Sequence, residues 1–195
     1  RFLKLEGDQV NTQPIKGTLS RGLNKTEDSE QAKALIGSEK DRAENLMIVD
    51  LLRNDLGKNC KLGSIKARKL FELQSFENVH HLVSTITGVL RKDKTPISLL
   101  RDCFPGGSIT GAPKKRAMEL INELESCKRS VYCGSIGYIS ANGRMDTNIA
   151  IRTILSDGDN MHCWGGGGIV ADSNAEDEYQ EILDKVGLLI KSKGN

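Results

Sequence analysis

At 195 residues, with 37% hydrophobic and 28% charged, the chain has the size and composition of a domain that folds around one core rather than a disordered segment. A formal net charge of +2, with acids and bases interleaved, gives no electrostatic reason for nucleic acid or an anionic membrane as partner. The longest apolar runs, such as LMIVDLL from Leu46, break well short of the roughly 20 residues of a membrane span. No signal-peptide pattern opens the sequence, and the expected location is the cytoplasm. The five cysteines, Cys60, Cys103, Cys127, Cys133 and Cys163, are odd in number and include no C-x-x-C. They read as reduced thiols, not as a disulfide framework or a zinc site.

The chain opens as RFLKLEGDQV without methionine, which reads as part of a longer protein. Residues 1–15 predict two short strands around a turn at Gly7 and Asp8. Over 28–56 the pattern turns helical, with Ala34, Leu35, Ala43, Leu46, Met47, Val49, Leu51 and Leu52 at spacings of three and four, Gly37 as a point of division and Gly57 as the stop. Segments 64–73 and 79–90 predict strands, the second rich in Val, Ile and Thr. TPISLLRDCF, with threonine before proline, predicts a short helix, and Pro113 opens another whose Ala117, Leu120, Ile121 and Leu124 form one stripe. Strands follow at 131–140, 145–155 and 161–165, the first two joined at ANG, and a last helix runs over 174–191. Strands and helices come in separate runs, so the class is α+β with mainly antiparallel sheet, in one domain.

Several residues carry chemistry. Asp41 and Glu44 are three apart on the first long helix, as are Glu178 and Glu181 on the last, so each pair shares a helical face. If the two helices approach, four carboxylates crowd together, and an oxygen-only set of this kind favours Mg²⁺. The alternative is two solvated acidic faces. WGGGGIV, from Trp164, suits either a backbone cradle for an anion or a plain turn. Gly166, Gly168 and Ala171 fit a loose dinucleotide spacing, but the neighbouring strands are not those of a βαβ unit. PGGSITGAPK lacks the lysine and hydroxyl after its last glycine that a phosphate-binding loop needs, which excludes an NTPase.

Arg152, Tyr132, His81 and Lys185 are candidates for gripping a small polar ligand. Arg152, in a predicted strand among apolar neighbours, requires a carboxylate from the protein or from a substrate. His80 and His81 are adjacent in a strand, so one faces inward and the other outward. Lys16, in PIKGT between Pro14 and Gly17, is either a surface lysine or a nucleophile whose amine is kept neutral by burial or nearby cations.

The motifs PIKGTLSRG, GSEKDRAENLMIVDLLRNDLG, VHHLVSTITG, PGGSITGAPKKRAME, YCGSIGYIS, MDTNIAIRT and GGGGIVADSNAEDEYQE, in this order, resemble those of the chorismate-utilising enzymes. That family includes the anthranilate, aminodeoxychorismate, isochorismate and salicylate synthases. The resemblance covers 1–195 as one chorismate-binding domain, the C-terminal portion of a longer subunit. It implies part of the anthranilate synthase-like fold, a two-sheet antiparallel sandwich with outer helices.

Lysine in PIKGT, where anthranilate synthases have PIAGT, implies the branch that aminates chorismate at ring carbon 4 to 4-amino-4-deoxychorismate, toward p-aminobenzoate and folate. The expected partners are chorismate and a glutamine amidotransferase subunit supplying ammonia. By resemblance Lys16 is the nucleophile and His81 lies near the reacting ring. Ser108, Tyr132, Arg152, Gly166, Gly167, Gly168 and Lys185 contact substrate, and Glu44 and Glu181, with Asp41 and Glu178 behind, hold Mg²⁺. A family glutamate that protonates the leaving hydroxyl is expected immediately upstream of Arg1. Rival expectations are an anthranilate, isochorismate or salicylate synthase, and an inactive fragment that docks a glutaminase.

Overall fold

In this computed structural model, residues 1–171 and 173–191 are described, those after Gly187 by backbone alone, and they divide into two compact units. The first comprises Arg1–Ser108 and Gly137–Asn148, the second Ile109–Ile136 and the chain from Ile149 onward. Asp172, inside the last family-like motif, lies outside the described residues.

The first unit is built on a seven-stranded sheet. Its strands are β1 (Leu3–Glu6), β2 (Gln9–Thr12), β3 (Ile15–Ser20), β4 (Lys66–Ser75), β5 (Val79–Val89), β6 (Ser135–Ile139) and β7 (Met145–Ile149). β1 and β2 pair antiparallel around Gly7, whose φ of +60° is the turn geometry that glycine adopts without strain. The long strand β5 organises the sheet. One side pairs with β3 over its first half and β2 over its second, and the other side pairs with β4, all antiparallel. Pro14, which has no N–H to give to a ladder, stands between β2 and β3, and its carbonyl accepts from Ser84 N–H at 3.1 Å. The PIKGT segment is therefore a strand running along β5.

Helices α1 (Lys25–Gly37) and α2 (Glu39–Gly57) divide at Gly37 and Ser38, as the sequence suggests. Asn24 caps α1 by accepting from Thr26 and Glu27 N–H, and Ser38 caps α2 by accepting from Asp41 N–H. The buried face of α2 is Asn45, Ile48, Val49, Leu52, Asp55 and Leu56. Leu46 and Met47, expected on the core stripe, are 46% and 47% exposed. The phase differs because Asn45 is accommodated inside: its Nδ2 donates to Leu82 O at 3.3 Å, and its Oδ1 accepts from Ser84 Oγ at 2.6 Å. Around them Leu3, Leu5, Val10, Leu56, Leu82, Ile86 and Leu99 are almost wholly buried. Each is worth about 2 kcal/mol of transfer free energy. Helix α3 (Pro96–Cys103) opens on a capping box between Thr95 and Ser98, and the single turn α4 (Gly107–Thr110), which the sequence pattern does not reveal, follows it.

The second unit contains α5 (Lys114–Leu124), the hairpin β8 (Ile154–Asp157) and β9 (Asn160–Cys163), and α6 (Ala175–Lys191). The expected strand over 145–155 is broken into β7 and β8. Between them Ala150 is tied to the turn before β6, with Cys133 N–H donating to its carbonyl and its own N–H donating to Gly134 O. The expected strand from 131 begins only at Ser135, because Ser130 and Cys133, at φ +49° and +65°, hold the preceding residues in a turn. Gly158, at φ +58°, and Asp159 form the two-residue connection of β8 to β9, a Gly-Asp hairpin turn. Among the described residues no helix is long and apolar enough to cross a membrane.

Candidate functional site

The predicted residues fall in both units. In the first, Lys16 lies on β3 at an irregularity: Lys16 pairs with Leu82 and Thr18 with His81, leaving Gly17 as an extra residue. A bulge of this kind re-aims the side chains on either side of it. Gly17 has φ +81°, and a Cβ there would lie 3.0 Å from Asp41 Cγ and from Leu35 Cδ1, so β3 approaches α1 and α2 as closely as a backbone can. This approach places Lys16 Nζ 3.1 Å from Glu44 Oε2, both side chains about one-quarter exposed. The partner of the amine is thus a carboxylate, where the sequence reading expected burial or cations.

His81 is half-buried on β5, and His80 beside it is 2% exposed, the alternation that adjacent strand residues predict. His81 Nδ1 is 2.8 Å from Thr18 Oγ1, and its ring lies 5.6 Å from that of Phe76. His80 belongs to a different network. Its Nε2 meets Asp28 Oδ1 at 3.0 Å and its Nδ1 meets Ser75 Oγ at 2.8 Å. Arg21 forks onto Asp28 at 2.6 and 2.7 Å, and Gly22 N–H donates to it at 3.0 Å. With the Arg21 guanidinium as the first cause, the Asp28 carboxyl is held well below the usual carboxylate range. The network fixes the exit of β3 against the start of α1. Arg21 and Gly22 stand in PIKGTLSRG, but their partner Asp28 lies beyond that motif, so the motif alone does not reveal their role.

In the second unit, the glycine run passes closely over its neighbours. A Cβ at Gly165 would lie 2.4 Å from Val186 Cγ1 of α6, one at Gly166 2.8 Å from the Tyr132 hydroxyl, and one at Gly167 2.8 Å from Glu178 Oε2. Close packing against these side chains accounts for glycine at 165, 166 and 167, whereas a Cβ at Gly168 would meet nothing within 4 Å. Tyr132 precedes β6, with burial first among the causes that push its phenol up to about 12, so it is a neutral hydrogen-bonding group at ordinary pH. Lys185 Nζ donates to Gly166 O at 3.4 Å and is ion-paired with Glu181 one turn earlier on α6. Arg152 differs from expectation: it is exposed, in the bend between β7 and β8 with φ +51°, and not in a strand among apolar side chains. The chain leaves the sheet at Ala150, which is why the alternation there misleads. Ser108, half-buried, lies in α4 at the end of the first unit.

Among the described residues no group of three or more His, Cys, Asp or Glu side chains is arranged to hold a metal ion. Taken separately, the pair Asp41 and Glu44 on α2 of the first unit and the pair Glu178 and Glu181 on α6 of the second each offer oxygen alone, the donor chemistry that a hard cation takes. Glu178 Oε1 accepts from Ser173 Oγ at 2.6 Å, while its buried Oε2 has no hydrogen-bond partner among the described residues. A buried, unsatisfied carboxylate oxygen is a group that a bound cation would satisfy.

Residues 1–191 match the family described as chorismate binding enzyme. The chain belongs to that family. It is 55% identical over 190 residues to aminodeoxychorismate synthase component 1 of Salmonella typhimurium, covering 97% of this chain and 42% of the relative. Anthranilate synthase component 1 of Acetivibrio thermocellus is 44% identical over 191 residues, covering 98% of this chain and 39% of that protein. The crystal structure of anthranilate synthase component I from Streptococcus pneumoniae superposes with a TM-score of 0.84 at 41% identity, over 94% of this chain and 40% of that one. The fold is therefore α+β of the anthranilate synthase type, as expected. This member of the chorismate binding family spans about two-fifths of the length of these relatives.

Proposed function

We propose that this chain carries the chorismate site of an aminodeoxychorismate synthase, which replaces the 4-hydroxyl of chorismate by ammonia to give 4-amino-4-deoxychorismate. The observation that carries the reading is Lys16 in PIKGT, held on the bulge of β3, in a chain more similar to aminodeoxychorismate synthase component 1 than to anthranilate synthase component 1 at 55% against 44% identity. The name component 1 supports a second component as partner, a glutamine amidotransferase that supplies the ammonia.

In the proposed reaction the Lys16 amine, once it has given up its ammonium proton, bonds to ring carbon 2 while the bond from carbon 4 to its hydroxyl breaks, the ring double bonds shift, and the hydroxyl takes up the proton released by the amine and leaves as water. Ammonia then bonds to carbon 4, the double bonds return, and the bond to Nζ breaks, which restores the lysine. Dividing one substitution into two in this way is nucleophilic catalysis. Lys16 thereby directs nitrogen to carbon 4 instead of carbon 2. Tyr132 and Arg152 are read as contacts to the enolpyruvyl carboxylate, for which a phenol and a guanidinium are apt donors. Ser108 offers a hydroxyl and Gly166, Gly167 and Gly168 offer backbone N–H groups, while Lys185 sits by the ring carboxylate and His81, steadied by Thr18, by the ring. Glu44 and Glu181, with Asp41 and Glu178 behind, would hold Mg²⁺. Bound there, Mg²⁺ supplies Lewis-acid polarisation of the substrate carboxylate.

The test is to incubate the protein, at the full length of its gene product, with chorismate, Mg²⁺ and ammonium and to identify the amino product by chromatography and mass. Formation of 4-amino-4-deoxychorismate, lost in Lys16→Ala, supports the reading. Anthranilate or isochorismate as product, or an unaffected Lys16→Ala variant, overturns it.

A further inference from the structure

Arg129 is held at more points than a half-buried arginine at a helix end requires. Its Nε and Nη2 fork onto the Glu125 carboxylate at 2.7–3.2 Å, and its Nη1 donates to Ile109 O at 2.8 Å. Glu125 is the C-terminal cap of α5, and Ile109 follows Ser108 in α4, so one guanidinium joins both ends of that segment. In this position its carbon lies 5.7 Å from the centroid of the Tyr132 ring, within reach of a cation–π attraction. The backbone closes the same turn: Tyr132 N–H donates to Arg129 O at 2.8 Å, with Ser130 and Cys133 in the left-handed region on either side. The Tyr132 hydroxyl then comes to rest against Gly166.

We propose that Arg129 is a positioning residue that presets the Tyr132 phenol over Gly166 for an anionic carboxylate. This rests on the reading of Tyr132 as a carboxylate contact given above. Fixing a ring before the ligand arrives removes from binding the entropic cost of ordering it. The fork matters because a bidentate guanidinium cannot swing away from the ring as a single-point contact can. Were Arg129 and Glu125 an ordinary i,i+4 pair closing a helix, their removal would touch stability slightly and substrate affinity not at all.

The chain has three tyrosines, and in the 3-fluorotyrosine-labelled protein the fluorine resonances of Tyr132, Tyr138 and Tyr179 are assigned by single Tyr→Phe substitutions. Arg129→Gln, Arg129→Lys, which keeps the charge without the fork, and Glu125→Gln, which frees the fork, are compared with the unaltered protein. The expected result is a shifted or broadened Tyr132 resonance with those of Tyr138 and Tyr179 in place, and a KM for chorismate raised about tenfold with kcat within about threefold, the split that marks lost uniform binding. An unmoved Tyr132 resonance or an unchanged KM in folded variants overturns the proposal. Should Arg129→Gln fail to fold, Arg129→Lys and Glu125→Gln decide the matter. Should the unaltered protein make no 4-amino-4-deoxychorismate, the proposed activity falls, while the resonance and a direct chorismate-binding titration still decide the role of Arg129.

Discussion

Lys16 Nζ lies 3.1 Å from Glu44 Oε2, an ion pair that ties the bulged strand β3 to α2. Arginine at this position can keep a pair with Glu44, but it stays protonated and cannot serve as a nucleophile. Lys16→Arg is therefore expected to melt close to the unaltered protein, while 4-amino-4-deoxychorismate formation falls on the order of 10³-fold or more. A Lys16→Arg variant that retains amination at carbon 4 would remove the lysine from the chemistry.

Glu44 engages Lys16 and Glu181 engages Lys185, so the two carboxylates proposed as the nearer cation ligands are each paired with a lysine in this structure. Glu44→Gln and Glu181→Gln are each expected to raise the Mg²⁺ concentration needed for half-maximal activity at least about tenfold, since a neutral amide is a far weaker ligand for a hard cation. Mg²⁺ titration of activity and calorimetry with Mg²⁺ alone both read this. Full activity after exhaustive chelation would end the magnesium reading.

Two glycines of PIKGTLSRG are fixed by close contact. A Cβ on Gly22 would fall 2.2 Å from the backbone nitrogen of Asp28, which cannot give way without moving α1. Gly22→Ala is expected to cost about 3 kcal/mol or more. At Gly17 the φ of +81° and the contact with Asp41 Cγ act together, and about 1–3 kcal/mol is expected for Gly17→Ala. Urea denaturation measures both, and a Gly22→Ala variant as stable as the parent would contradict the close approach of β3 to α1.

Asp28 is depressed below the usual carboxylate range, chiefly by Arg21, with Gly22 N–H and His80 adding to it. Its stabilising contribution is fully present above the unfolded carboxyl value near 3.9, and it is lost as the pH falls toward the lower folded value, where the folded state resists protonation. Asp28→Asn should lose stability at neutral pH and show a shallower acid limb below about pH 4. Equal slopes for the two proteins between neutral pH and pH 2 would refute this.

Asn45 and Ser84 are both fully buried and bonded to each other, and Ser84 Oγ also accepts from Phe71 N–H at 3.1 Å. Asn45→Ala leaves the Leu82 carbonyl and the Ser84 hydroxyl short of a partner inside the core, with an expected cost of about 2–3 kcal/mol. Thermal denaturation checks it, and a loss below about 0.5 kcal/mol would mean that the network is not closed in solution.

The sequence by itself determined what local chemistry dictates. The turn at Gly7, the division of the helices at Gly37, the start of α3 after Thr95, and the final helix are written in short-range spacing, capping and turn residues, and the structure has them where expected. The ordered motifs likewise led to the family, because each is a contiguous string. Tertiary structure decided what depends on partners distant along the chain. The bulge at Gly17 comes from pairing against β5, and no local pattern reports it. Asn45 turns inward because Leu82 and Ser84 satisfy it there, which sets the phase of α2 against its apolar count. Arg152 emerges at the surface because Ala150 is bonded to the turn at Cys133 and Gly134, so an alternating apolar run stops being a strand in its middle. Periodicity records which side chains favour burial, whereas burial itself is granted only where another segment supplies the hydrogen bonds and the packing surface.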